Sequence, residues 1–113
     1  MYVAHSEEIP AQVVTIGGAE KTTVRWLIAE REGAPTFAMR LFEIQPGGQT
    51  PFHAHAWEHE VFVLDGSGEL TGAEQTWPLQ AGDVVFVPPQ EQHNFRNTGD
   101  GPFRFLCCIP LSS

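Results

Sequence analysis

Three histidines at the centre of this chain have the spacing of metal ligands. His53, His55 and His59 all fall in the stretch PFHAHAWEHEVFVLDG. In an extended strand, side chains at positions i and i+2 point to the same face, so His53 and His55 lie roughly 6.6 Å apart along the strand and can reach one ion. His59 has the same parity but follows AHAWE, so we expect it to enter after a bend, with Val61 and Val63 continuing inward.

A fourth candidate ligand, His93, lies in the stretch VPPQEQHNFRN. Pro88 and Pro89 end one strand there, and His93 begins the next, with Phe95 on the same face. Spacing alone leaves the position of His93 relative to the other three histidines open. The fifth histidine, His5, lies in the polar stretch AHSEE and is expected to be solvated.

The elements that must position these side chains are predicted to be strands. Segments rich in Val, Ile, Phe, Thr and Trp alternate with Gly and Pro turns; they are TTVRWLIAE, TFAMRLFEI, HEVFVLDG, DVVFVP, HNFRN and FRFLCCIP. No long segment keeps a helical apolar period, and strands recurring about every 8–12 residues are typical of a sandwich or small barrel. We therefore predict an all-β fold, as one domain over residues 1–113, because no stretch marks a linker. Trp57 is expected to pack or to lie at the rim, and Glu58 and Glu60 to face solvent.

Composition and charge disfavour several classes of partner. Fourteen acidic residues against six basic ones give a net charge of -8, which repels phosphate backbones and anionic lipid headgroups, so we expect neither nucleic acid nor a membrane as a partner. The Met1 end lacks a basic residue followed by an apolar core, and no stretch is long enough to span a membrane, so a cytoplasmic location is expected. Cys107 and Cys108 are adjacent, which disfavours a disulfide between them.

Both histidine-bearing stretches resemble the two motifs of small single-domain cupins of the cupin_2 type. The first motif, at residues 47–66, is matched by Gly47, His53, His55, His59 and Gly66. The second motif, at residues 82–97, is matched by Gly82, Pro88, Gln90, His93 and Asn97. The chain departs from the family pattern at Gln90, where a turn glycine is usual, and at His59, where a metal-binding glutamate is most common.

This resemblance implies a cupin double-stranded β-helix, a jelly-roll barrel, with a metal site of four ligands: His53, His55, His59 and His93. The phrase AWEHEVFVL looks like that of small prokaryotic cupins that bind manganese through four histidines, so the resemblance implies Mn²⁺. Imidazoles alone do not select among Mn²⁺, Fe²⁺, Cu²⁺, Ni²⁺ and Zn²⁺. Four neutral imidazoles leave a divalent ion with more net charge than three imidazoles and one carboxylate, and therefore with stronger Lewis acidity.

Candidate pocket residues come from two further strands. Arg40 is a candidate catalytic cation that holds a carboxylate or a polarised oxygen near the metal, and the alternative is an exposed strand arginine. In FRFLCCIP, alternation puts Phe105, Cys107 and Ile109 on one face, and the resemblance implies that they line a substrate pocket with Phe95. Cys107 is either a reactive, catalytic thiol beside the metal or a small core residue.

We predict a metal-dependent oxidoreductase of dioxygenase type, which cleaves an unsaturated or aromatic carbon–carbon bond in a small, largely apolar substrate. Open metal positions, where substrate and dioxygen bind side by side, and the aromatic pocket favour this function. No carboxylate or further histidine is left inside as a general base, which disfavours hydrolysis. Two alternatives stay open: a non-catalytic small-molecule-binding or sensor protein, and a metal-dependent isomerase or decarboxylase.

The segment TTVRWLIAE is apolar on both faces. Val24, Trp26 and Ile28 alternate with Leu27 and Ala29, as in a strand that is buried on both sides. A small barrel often covers such a strand with a second subunit. We therefore predict a homodimer formed through the edge or the face of the sheet at this strand.

Overall fold

Nine β-strands make up most of the molecule. The computed structural model describes residues 1–112, and its strands are β1 (Gln12–Val13), β2 (Glu20–Ile28), β3 (Phe37–Gln49), β4 (His59–Asp65), β5 (Ser67–Gly72), β6 (Thr76–Gln80), β7 (Val84–Val87), β8 (His93–Asn97) and β9 (Phe103–Pro110). In this part of the chain, helical structure is limited to two short 3₁₀ turns, Ser6–Glu8 and Glu30–Glu32. No helix among the described residues is long and apolar enough to cross a membrane. The predicted all-β fold is confirmed.

The strands form one antiparallel sheet that curls into a half-barrel. Its order is β6, β5, β8, β3, β9, β4, β7, with β2 also paired to β3 and β1 paired to β2. The long strand β3 contacts β2, β8 and β9, so it joins the first part of the chain to the last. Because neighbouring strands come from distant parts of the sequence, the concave face collects side chains from both histidine-bearing stretches.

The concave face of the sheet carries the core. Every second residue of β9 is buried, namely Phe103, Phe105, Cys107 and Ile109, as the two-residue period of a strand requires. The same alternation in β4 begins at His59, which is buried. Both cysteines are free. The histidine cluster is therefore a continuation of the apolar core rather than a surface feature.

The N-terminal residues lie across the outer face of β2. Nη1 of Arg25 donates hydrogen bonds to the carbonyl oxygens of Ser6, at 3.2 Å, and Ile9, at 2.6 Å. Part of the β2 face that the sequence pattern assigns to a second subunit is thus covered by the chain itself. The homodimer stays a prediction.

Candidate metal centre

Backbone pairing between two distant segments brings the four histidines together. His59 is the first residue of β4, and His93 is the first residue of β8. The backbones of His53 and His93 form a bridge, in which His53 N donates to His93 O at 3.2 Å and His93 N donates to His53 O at 2.9 Å. Apart from this bridge, residues 50–58 are irregular, so His53 and His55 do not lie on a regular strand as expected, while the bend before His59 is present.

The imidazole rings of the four histidines lie close together. Ring centres are 4.1 Å apart for His53 and His55, 5.2 Å for His55 and His59, and 5.0 Å for His59 and His93. The centre of the His93 ring is 5.6 Å from that of His53 and 6.1 Å from that of His55. Rings bound to one ion, at metal–nitrogen distances of about 2.1 Å, have their centres about 4–6 Å apart. The ring positions therefore suit a shared metal ion.

The ring nitrogens are not all turned toward one point. In residues 1–112, no three His, Cys, Asp or Glu side chains form a ready set of metal ligands. A half-turn of an imidazole about χ2 exchanges each ring nitrogen with a ring carbon while the ring stays in place. The positions of the rings thus constrain metal binding more strongly than the present directions of their nitrogens. Metal binding at this site requires ring rotation.

The nitrogens of two rings show that these residues fit a metal ion. Nε2 of His59 is buried and has no hydrogen-bond partner within the described chain, a condition that costs about 1–3 kcal/mol for a buried polar atom. Nδ1 of His93 is 3.0 Å from the carbonyl oxygen of Glu91. It must donate its proton there, which leaves the lone pair of the His93 ring on Nε2. Each ring therefore has one nitrogen available to a metal ion.

Burial keeps the four imidazoles neutral. Burial, together with the neighbouring His93 and Arg40, lowers the pKa of His59 to about 3. The pKa of His55 is lowered to about 4, first by burial and then by His53 and His93. Burial also lowers the pKa values of His53 and His93. Neutral imidazole is the form that binds metals, so no proton competes with a metal ion near neutral pH.

Arg40 faces inward, beside the histidines. It lies opposite Cys107 in the pairing of β3 with β9, and its Nη2 donates to Cys107 Sγ at 3.1 Å. The guanidinium carbon is 5.4 Å from the ring centre of Trp26 and 4.8 Å from that of Phe42. None of the ion pairs in the described chain involves Arg40. The alternative of an exposed strand arginine is therefore wrong, since Arg40 is a partly buried cation held by aromatic rings and a thiol.

Cys107 contacts both Arg40 and a histidine. Its Sγ is 3.3 Å from Nδ1 of His59, and the same nitrogen is 3.5 Å from Nη2 of Arg40. Burial raises the pKa of the Cys107 thiol, and Arg40 opposes part of that effect. A thiol, a guanidinium and an imidazole thus meet on the inner face of the sheet.

These side chains open onto a cavity of about 550 Å³. The predicted pocket residues Phe95, Phe105 and Ile109 line it, together with Arg40 and Cys107. Further lining residues that the sequence pattern did not assign to the pocket are Val13, Val14, Thr15, Ile16, Val24, Trp26, Phe42, Thr50, Pro51 and Trp57. No Asp or Glu is among the described lining residues, so the cavity is apolar with one permanent positive charge.

The likeness of this chain to known proteins agrees with the fold. Residues 40–109 match the Cupin_2 family, whose description is Cupin domain. The chain belongs to the cupin family. The cupin has 37% sequence identity to the solved structure of the polyketide cyclase RemF from Streptomyces resistomycificus, with a TM-score of 0.93 over 98% of this chain and 80% of that chain. The cupin fold is therefore shown.

Two curated relatives differ in how much of their length is matched. The cupin is 30% identical to the oxalate-binding protein of Thermotoga maritima, over 98% of this chain and 94% of that protein. It is 32% identical to an uncharacterized protein of Methanocaldococcus jannaschii, and this match spans 55% of the cupin and 50% of the length of that protein. Proteins similar to this cupin include an oxalate decarboxylase, isomerases and a polyketide cyclase.

Proposed function

We propose that this cupin is a metal-dependent enzyme that closes a ring in a polyketide-type substrate, a chain of alternating ketone and methylene groups. The observation that carries the proposal is the cavity of about 550 Å³, with apolar walls, neutral imidazoles and one cation, Arg40. Such a cavity suits a mostly uncharged, oxygen-bearing chain. The likeness of nearly the whole chain to the polyketide cyclase RemF supports the proposal.

Ring closure of such a substrate makes limited demands on the protein. The O–H of an enol loses its proton, and the electron pair of the enol forms a bond from its α-carbon to the carbonyl carbon of another ketone. The attacked carbonyl oxygen takes up a proton, and loss of one water gives the aromatic ring. The enzyme must fold the chain and stabilise negative charge on oxygen.

The four histidines supply the metal site in this proposal. His53, His55, His59 and His93 would hold one divalent ion, for which Mn²⁺ is our choice. When bound, the ion supplies a Lewis acid that polarises a carbonyl oxygen. The chain itself contributes neutral ligands, which leave the positive charge of the site undiminished.

Arg40 is proposed to bind the substrate oxygen that becomes negative. Its guanidinium lies against the rings of Trp26 and Phe42, which limits its motion, and no carboxylate of residues 1–112 lines the cavity to neutralise it. A charge-assisted hydrogen bond from a fixed arginine is stronger than one between neutral groups. Cys107 is proposed as a positioning residue, because its sulfur accepts from Arg40 and contacts His59.

Oxalate-type chemistry fits this cavity less well. Oxalate is a small dianion, and a cavity of about 550 Å³ lined mainly by apolar residues would leave most of its walls uncontacted. A single arginine would also face two carboxylates. The likeness to the oxalate-binding protein therefore supports the fold and a small-molecule ligand, while the walls favour a larger, uncharged one.

The oxygen-dependent cleavage predicted from the sequence is the second candidate. It is favoured by the described lining of the cavity, in which there is no carboxylate and no histidine beyond the four proposed ligands. Because these lining residues include no strong base, cyclisation has to rely on the acidity of the substrate enol, and this lack of a base is what favours the second candidate. Both candidates need a metal and an apolar cavity, and they differ in whether dioxygen is consumed.

The test uses 2,4,6-heptanetrione, which gives orcinol on ring closure and loss of one water. The full-length protein is loaded with Mn²⁺, and orcinol is measured by liquid chromatography while an oxygen electrode records uptake. We expect metal-dependent orcinol formation without oxygen uptake. A rate no higher than that of free Mn²⁺ contradicts the proposal. Oxygen uptake with cleaved products supports the dioxygenase instead.

Arg40→Gln tests the proposed role of the cation. We expect kcat for orcinol formation to fall by about 10²-fold, because the variant loses a charged donor to the oxygen that becomes negative. Arg31→Gln is the matched control, since the Arg31 side chain is 64% exposed and pairs with Glu32. Equal activity in both variants would remove Arg40 from the mechanism.

A further inference from the structure

Trp57 carries an unpaired hydrogen-bond donor at the wall of the cavity. Its indole ring lies flat against the ring of His55, with centres 4.4 Å apart and an angle of 13° between the planes. Trp57 lines the cavity, and its Nε1 is buried without a hydrogen-bond acceptor in residues 1–112. A buried N–H without an acceptor costs about 1–3 kcal/mol, and buried Trp side chains usually have a partner.

A second unpaired donor belongs to Arg40. Nη2 of Arg40 is engaged by Cys107 and approaches His59, whereas its Nε is buried and has no acceptor within the described chain. Arg40 and Trp57 both line the same cavity. Both N–H groups belong to residues that line one apolar cavity, and a ligand that carries acceptor atoms would satisfy them.

We infer that Trp57 and Arg40 select ligands with oxygen atoms at two separate positions, such as diketones and hydroxylated aromatic ketones. Trp57 Nε1–H donates to one ligand oxygen, and Arg40 Nε–H donates to the other. A hydrocarbon of the same shape would leave both donors without acceptors, so it would lack the hydrogen bonds that an oxygen-bearing ligand gains. The inference rests on the proposed function, because it names the class of substrate that the same cavity takes.

Trp57 is thus a specificity-determining residue rather than a packing or rim residue. Its stacking on His55 fixes the plane of the indole, and therefore the direction of the N–H bond. The alternative is that Trp57 only packs over His55. The two alternatives differ in one property: a covering role needs the ring and not its N–H group.

Resonances of the tryptophan N–H groups give the first test. The three indole N–H signals are recorded for the full chain loaded with Zn²⁺, which is diamagnetic, and Trp57→Phe assigns the signal of Trp57. We expect 7-hydroxy-1-tetralone to move the Trp57 signal downfield and to leave the signal of Trp77 in place, since Trp77 is 41% exposed and does not line this cavity. Tetralin, the same bicyclic ring system without oxygen, is expected to cause no downfield shift.

Affinities measured by equilibrium dialysis give the second test. We expect Trp57→Phe, which keeps an aromatic ring but lacks the N–H group, to weaken binding of 7-hydroxy-1-tetralone by about five- to tenfold. Its affinity for tetralin is expected to match that of the unaltered protein. Trp77→Phe is the matched control and should leave both affinities unchanged.

Three results would overturn the inference. They are no binding of 7-hydroxy-1-tetralone at millimolar concentration, an unmoved Trp57 signal in the ketone-bound protein, and undiminished ketone affinity in folded Trp57→Phe. The binding tests need no turnover, so they are independent of the heptanetrione assay. If binding depends on the oxygen atoms of the ligand but no ring closure occurs, only the cyclase proposal is contradicted. If ring closure occurs but binding does not depend on the ligand's oxygen atoms, only this inference is contradicted.

Discussion

The imidazole at position 59 leaves Arg40 without an anionic partner. Nη2 of Arg40 is 3.5 Å from Nδ1 of His59, and a glutamate in this position, where the cupin motif usually has one, would bring a carboxylate within reach of the guanidinium. Such an ion pair would neutralise the single permanent charge of the cavity. Histidine in place of glutamate at position 59 thus has two effects. It raises the net charge of a bound ion, and it leaves Arg40 available to the substrate.

Two substitutions of His59 separate these effects. We expect His59→Ala to lower metal content, with the metal affinity reduced by more than about tenfold, because one ligand is removed. We expect His59→Glu to keep the metal but to lose most orcinol formation, because the introduced carboxylate pairs with Arg40. Metal content is measured by mass spectrometry on protein purified without added metal, with His5→Ala as the exposed control. Unchanged metal content in His59→Ala contradicts the four-histidine site.

The metal-free protein is expected to lose stability as the pH falls from neutral toward 4. The folded state keeps His59 and His55 neutral, with pKa values of about 3 and about 4, against an ordinary value of 6.5. Below pH 6.5 the unfolded chain binds protons that the folded protein does not, so unfolding becomes easier as pH decreases. Between pH 6.5 and 5, His59 alone removes about 2 kcal/mol.

Thermal unfolding followed by circular dichroism in a chelator measures this loss. The midpoint temperature should fall between pH 7 and pH 5, and it should fall less in His59→Phe, which has no group to protonate. His5→Phe, a change at an exposed histidine, should keep the full decrease. An equal decrease in all three proteins would mean that the buried imidazoles do not control acid stability.

At the scale of elements, the predicted strands are those with strong apolar alternation. All six segments chosen from the sequence lie on β2, β3, β4, β7, β8 and β9. The sequence of β5, SGELTG, has little apolar character, and β6 contains Pro78, which strands tolerate at a sheet edge such as this one. β1 and β6 pair with the strands next to them in the chain, and β5 also pairs with the distant strand β8, so all three depend on partners that apolar alternation within one segment does not identify.

Gln90 lies in a strained turn within the second motif. It has a φ of 69°, in the left-handed region that costs a residue with a side chain about 1–2 kcal/mol, and its N–H donates to the carbonyl oxygen of His55 at 2.6 Å. The family glycine at this position therefore has a conformational reason. Gln90 keeps the turn and connects the second motif to the first.

Replacing Gln90 by glycine should stabilise the protein. We expect Gln90→Gly to raise the free energy of unfolding by about 0.5–1 kcal/mol, because relief of strain exceeds the added flexibility of the unfolded chain. Gln92→Gly, two residues further and outside the positive-φ residues, should lower it. Urea unfolding measures both variants. A loss of stability in Gln90→Gly would show that the turn is not strained.

For the whole molecule, the cavity depends on contacts that no single segment encodes. Parity on β9 placed three residues on one face, and the family resemblance assigned that face to the cavity and placed His93 near the other histidines. The contributions of Trp26 and Phe42 depend on the register of β2 with β3, in which Val24 faces Phe42 and Trp26 faces Arg40. The segment Val13 to Ile16 reaches the cavity only because β1 pairs with β2. Such pairing between separate strands explains why most of the wall could not be predicted from single segments.

An open strand edge at β2 supports the predicted homodimer. One edge of β2 pairs with β3, whereas the other edge is met by β1 at Val24 and Thr23 and by Val14, whose N–H donates to the carbonyl oxygen of Thr22. Among the described strands, none covers that edge beyond Val24, and an open edge is available to a second copy. Exposed apolar side chains also occur on β4 and β7, where Phe86 is 60% exposed, so the two surfaces need separate tests.

Light scattering at micromolar concentration distinguishes the two surfaces. We expect a mass of about twice 12.5 kDa for the unaltered protein. Ile28→Lys, at a β2 residue that is 38% exposed, should give the monomer, because the charge would be buried against a second copy. Phe86→Lys should keep the dimer. The reverse pattern would move the interface to β4 and β7, and a monomeric unaltered protein would contradict the homodimer, since the open edge of β2 would then be left to solvent.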